Sequence, residues 1–125
     1  MAKGVFGWIV EGSGWAPPAG EVLDFALENG ELHIRPDEAD SPDIVIPPEV
    51  VSYFRIDVKR GGWGLNGAKG VDSAGLIPIA MIKLSKAMRF TVETDDGRVV
   101  IQTDGASKKA RRMLDEFRER WLLGR

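Results

Sequence analysis

Apolar and polar positions alternate along most of the first hundred residues, and only the last twenty depart from that rhythm. Residues 5–11, VFGWIVE, read as a first strand, and EGSGWAPPAGE (11–21) as a turn-rich connection. Residues 21–28, EVLDFALE, put Leu23, Phe25 and Leu27 on one face, the two-residue period of a half-buried strand. Asn29-Gly30 tolerates the positive φ that a tight hairpin needs, and ELHIR (31–35) returns with Leu32 and Ile34 inward. An acidic loop, PDEADSPD (36–43), leads to a short strand at 43–46, which must stop at Pro47-Pro48 because proline cannot continue a central strand. VVSYFRIDVK (50–59) is the longest strand, with Ser52, Phe54, Ile56 and Val58 on one face and Val51, Tyr53, Arg55 and Asp57 on the other. LIPIAMIKL (76–84) reads as a further strand, with Pro78 marking an edge or bulge. MRFTVE (88–93) and RVVIQT (98–103) flank Thr94–Gly97, where Asp-Gly between two β-rich runs signals a hairpin.

The period then changes. In residues 106–123 the apolar side chains Ala110, Met113, Leu114, Phe117, Trp121 and Leu122 fall at helical spacing, one stripe of an amphipathic helix. Asp104 or Ser107 is placed to cap it. Seven or eight short strands followed by one helix make a single domain over residues 1–125, with no internal repeat.

The hairpin ENGELHIR, the strand IPPEVVSYFRIDV, the hairpin MRFTVETDDGRVVIQTD and the helix from Ala106 together resemble the small bacterial PH-like (pleckstrin-homology-type) domains and the related GRAM domains. The resemblance covers most of the chain. It implies a mainly β (α+β) fold, a split barrel of about seven antiparallel strands with one C-terminal amphipathic helix plugging an end. The bacterial relatives are largely of uncharacterised function, so what such a scaffold does has to be argued from its sites. Phosphoinositide-binding members of the family use Lys and Arg around the first hairpin loop. The matching loop here, EGSGWAPPAGE, has no basic residue, so that activity does not carry over.

Between two strand-like runs lies RGGWGLNGAKGVDSAG (60–75), in which Gly62, Gly64 and Gly67 satisfy G-x-G-x-x-G. A dinucleotide site needs a helix directly after that motif to meet the pyrophosphate. AKGVDSAGLIP cannot supply it. A P-loop is excluded because Ala68 precedes Lys69 and Gly70 stands where the Mg²⁺-binding hydroxyl belongs. What is left is a long loop carrying Trp63 amid Lys59, Arg60 and Lys69. An aromatic framed by cations suits a membrane interface or an acidic partner; equally, Trp63 can fold back to cover the barrel.

Length and composition narrow the remaining chemistry. A chain of 125 residues can bury one core without staples. With no cysteine there is no disulfide framework and no thiolate zinc site. The start of the chain lacks the apolar segment of a signal peptide, and a cytoplasmic protein is expected. His33 stands alone on the polar face of its strand and has no second histidine with which to build a metal site or triad; it is expected to be an exposed hairpin residue. Asp37, Glu38, Asp40 and Asp43 lack the spacing of a Ca²⁺ loop. No G-x-S-x-G elbow is present. No catalytic residue, cofactor, metal or small-molecule substrate is expected.

Net charge is −2, but residues 1–50 hold two Lys/Arg against ten Asp/Glu, and the remainder fifteen against nine. The two halves can pair within one fold or between subunits. Lys108, Lys109, Arg111 and Arg112 crowd the start of the helix, against its macrodipole, either as an anion-binding patch or as solvated surface with acids one or two turns on. A sequence pI of about 5.4 and few aromatics amid the cations argue against nucleic acid. The expected function is protein binding or self-association as a homo-oligomer. Attachment to anionic membrane is the alternative, with Lys59, Arg60, Trp63, Lys69, Lys108, Lys109, Arg111 and Arg112 as candidate binding residues.

Overall fold

The computed structural model describes residues 4–38, 40–60, 86–103 and 108–124. Seven strands are present among them: β1 (Val5–Ser13), β2 (Val22–Glu28), β3 (Glu31–Pro36), β4 (Ile44–Ile46), β5 (Val51–Arg60), β6 (Lys86–Thr94) and β7 (Gly97–Thr103), followed by one helix, α1 (Lys108–Leu123). They form a single antiparallel sheet in the order β4-β3-β2-β1-β7-β6-β5. The expected strand at 76–84 and the glycine loop from residue 61 lie outside the described residues, as do both candidate caps of the helix.

The connectivity forces the sheet to curl. β4 and β5 occupy opposite edges, yet only residues 47–50 join them. In a flat sheet the edges would stand about 29 Å apart, six steps of about 4.8 Å. The chain from Ile46 to Val51 reaches at most about 19 Å. The sheet therefore bends into a half-barrel, and β1 is where it folds over: its first half pairs with β2 (Val5 to Trp8) and its length from Gly7 to Ser13 with β7, across a bulge between Ile9 and Glu11. The result is the expected mainly β split barrel with one C-terminal helix.

Inside the curl, Phe25, Phe54, Phe90 and Phe117 are buried with Leu23, Leu32, Ile34, Ile101 and Leu114. Phe25 and Phe90 meet edge to face at 4.8 Å between ring centroids, and Phe54 meets Phe117 the same way at 5.3 Å. Each such side chain contributes about 1.5–3 kcal/mol by leaving water. Helix α1 closes the open side with Ala110, Leu114 and Phe117, and the Trp121 Nε1–H donates to the Val51 carbonyl at 2.9 Å.

Three local expectations change. The alternation along β5 slips at a bulge between Val51 and Tyr53, so Val51 joins Phe54 and Ile56 inside, while Ser52 turns out and Val58 is largely exposed. Leu122 was expected in the apolar stripe but is 55 % exposed, because Trp121 makes the last contact with Phe54. His33 is half-buried rather than exposed: its Nδ1 lies 3.3 Å from Glu28 Oε2, and its Nε2 is buried with no hydrogen-bond partner among the described residues. Asn29 and Gly30 both take positive φ, 54° and 79°, the mirror-image hairpin turn that their side chains permit.

Candidate functional site

Among the described residues the curled sheet does not close, and the seam it leaves is built by three turns. On one wall, Pro47-Pro48 ends β4 after three residues and starts a single 3₁₀ turn, Pro48–Val50, that delivers the chain to β5. The Trp121 hydrogen bond to Val51 pins that corner to the helix. On the other wall, the β1–β2 turn and the β6–β7 hairpin pack backbone to backbone. Gly14 has φ 64°, and a Cβ there would overlap the Asp96 carbonyl oxygen. A Cβ on Gly97 would lie 2.6 Å from the Ser13 carbonyl oxygen and 2.7 Å from Trp15 Cδ1. Two glycines thus let Trp15 seat against the hairpin, where its Nε1–H donates to Thr94 Oγ1 at 2.7 Å. The Asp96 N–H donates to the same oxygen at 3.3 Å.

The hairpin that Asp-Gly signals is present, and the structure shows what its glycine does. Asn29 is the one non-glycine with positive φ among the described residues, so Asp95 and Asp96 make the turn without it, and Gly97 is the strand partner of Thr94. Glycine is needed at 97 for the approach of Trp15, not for turn geometry.

Between the walls lies a groove of about 690 Å³. Its apolar lining comes from Ile44, Val45 and Ile46 of β4, from Val50 and Val51, and from Trp15. Ser52 and Thr94 are also lining residues, and Glu49, Asp95 and Asp96 supply carboxylates. Val45 is 46 % exposed and Val50 51 % exposed, so β-branched surface faces solvent beside a strand edge. Among the described residues β4 has β3 as its one strand neighbour and β5 has β6, so each edge has a side without a strand.

The residues singled out from the sequence do not assemble there. Lys59 and Arg60 take the last positions of β5, opposite Ala87 and Lys86. Trp63 and Lys69 lie outside the described residues. Lys108, Lys109, Arg111 and Arg112 are exposed on the first turns of α1. They are not a purely cationic patch. Arg111 Nε is 3.2 Å from Asp115 Oδ1, Arg118 Nη2 is 3.4 Å from the same oxygen, and Glu116 and Glu119 share the shallow hollow around Lys108 and Arg112.

Elsewhere on the sheet the charges pair across strands. Arg35 Nε meets Asp24 Oδ1 at 2.7 Å, and that hydrogen bond raises the Arg35 pKa against the opposing effect of burial. Arg55 is also raised, by Tyr53 and then Asp57, and burial lowers Arg89 while its Nε donates to Gln102 Oε1 at 2.9 Å. All three stay protonated at any pH the fold meets. Glu11 and Arg98, 3.1 Å apart, join the acidic and basic halves of the chain. A second exposed apolar feature, Phe6 beside Trp8 with rings 6.3 Å apart, lies on β1.

Among the described residues no three His, Cys, Asp or Glu side chains could hold a metal ion, and no helix is long and apolar enough to cross a membrane. No family model matches this chain, and neither a curated protein nor a solved structure matches it. Function has to be argued from the seam itself.

Proposed function

We propose that the chain is a non-catalytic interaction module that binds protein, taking an extended segment of a partner along the seam between β4 and β5. One observation carries this reading: two strand edges, each with a side lacking a strand among the described residues, flank a groove of about 690 Å³ with exposed Val45 and Val50 beside it. An added strand would satisfy backbone donors and acceptors and cover that apolar surface, the mode of recognition called β-augmentation. Self-association would use the same edges with a second copy. A PH-like ancestry is part of the proposal. The four-strand and three-strand meanders joined through β1 and β7, closed by one helix, support it, while the absence of basic residues from the first hairpin loop sets the chain apart from the phosphoinositide-binding members. A cytoplasmic setting fits a sequence without cysteine. The membrane alternative would draw on Trp63 and Lys69, which lie outside the described residues, and on the exposed cations of α1, of which Arg111 is engaged with Asp115.

The test is selection of random displayed decapeptides on the full chain, with every binder rescored on Val45→Asn/Val50→Asn. Both side chains are about half exposed, so the variant should fold. The seam reading expects most binders to lose at least ten-fold in affinity. Binders indifferent to the substitutions would place recognition elsewhere.

A further inference from the structure

The seam has a sign as well as a shape. Glu49, Asp95 and Asp96 are all exposed and all line the groove, and among the described residues no Lys, Arg or His lines it with them. Several other carboxylates of the fold hold cations: Asp24 and Glu28 meet Arg35, Asp57 meets Arg55, and Asp115 meets Arg111. Among the described residues, the three at the seam have no cationic partner. Like charges gathered around an apolar groove repel one another and draw in cations. β4 offers three residues, about 10 Å of strand. A segment laid along it would point alternate side chains inward, towards Ile44, Ile46 and Trp15. The others would point outward, past Val45 to the rim where the carboxylates stand.

We infer that the partner's segment is cationic: a short extended peptide alternating apolar residues with Lys or Arg, its apolar side chains in the groove and its cations at Glu49, Asp95 and Asp96. This rests on the seam reading above. It also sets the module apart from anion binders, because phosphate or an acidic headgroup would meet three uncompensated carboxylates at this site.

The experiment uses the decapeptides selected on the full chain, sequenced and synthesised, with affinity measured at 50 and 300 mM NaCl. The probe protein is Glu49→Gln/Asp95→Asn/Asp96→Asn, which keeps shape and removes charge; unchanged thermal melting verifies its fold. The expected result is enrichment of Lys and Arg at alternating positions in the clones sensitive to Val45→Asn/Val50→Asn. Affinity should fall about ten-fold at the higher salt and about ten-fold on the neutralised variant. Seam-dependent clones with no such enrichment, and no loss on the neutralised variant, would overturn the cationic assignment while leaving the seam reading intact. Clones indifferent to the valine substitutions would overturn both. A concentration-dependent dimer abolished by Val45→Asn/Val50→Asn would make the occupant a second copy and overturn the assignment to a cationic partner.

Discussion

The indole N–H of Trp15 donates to the hydroxyl of Thr94 at 2.7 Å, tying the β1–β2 turn to the β6–β7 hairpin across 79 positions of sequence. Two turns far apart in sequence meet at this bond, and it fixes one wall of the seam. Trp15→Phe keeps most of the ring and removes the donor. The expected cost is about 1 kcal/mol, a fall in melting temperature of about 4 °C. Because Thr94→Val removes the same bond, a double-mutant cycle followed by denaturant unfolding should give a coupling of about 1 kcal/mol. Additive effects would mean that the bond does not join the hairpins.

Gly14 and Gly20 separate close approach from backbone freedom. Both have positive φ, 64° and 94°, but a Cβ at Gly20 meets nothing within 4 Å whereas at Gly14 it collides with the Asp96 carbonyl. Gly20→Ala should cost about 1–2 kcal/mol from backbone strain alone. Gly14→Ala should cost clearly more, because strain and collision add. Urea unfolding of the two variants side by side decides it; equal costs would contradict the backbone contact.

Phe117 is fully buried and stacks edge to face on Phe54 at 5.3 Å. Phe117→Ala should cost about 3–5 kcal/mol, a large share of the stability of a domain this size. The check is the unfolding midpoint together with loss of helical signal as α1 detaches.

Lys108 opens α1, whose first turn carries no acid. Lys108→Glu reverses an unfavourable charge at the positive end of the helix macrodipole and should raise stability by about 0.5 kcal/mol in low salt, less at high salt. Melting in low and high salt reads both the sign and the screening. A destabilised variant would mean that Lys108 has a partner worth more than the dipole.

Local chemistry made much of the fold legible. Asn29-Gly30 announced its turn because few residues accept positive φ twice in succession, and Ala110, Leu114 and Phe117 announced the buried helix face by their spacing. The parity of β5 was not legible, since a bulge between Val51 and Tyr53 is a property of the backbone that side-chain alternation does not record. The packing role of Gly97 was not legible either, because its neighbour in space, Trp15, is distant in sequence. The seam escaped for the same reason. Which strands become edges depends on β1 pairing with β7, a contact between distant parts of the chain, and no window of sequence contains it. Two signs were nonetheless present: a tryptophan within a Gly/Pro-rich turn, and a β-branched strand cut to three residues by Pro47-Pro48. The charged clusters that drew attention, by contrast, include side chains such as Arg111 that neighbours already neutralise.

The most direct measurement is amide and indole chemical-shift mapping of the ¹⁵N-labelled full chain titrated with the tightest selected decapeptide. Strand addition at the seam predicts a contiguous set of shifts over Ile44–Ile46, Val50–Ser52 and Thr94–Asp96, together with the Trp15 indole. Shifts centred on Phe6, Trp8 and Val22, or on α1, with the seam unmoved, would contradict it.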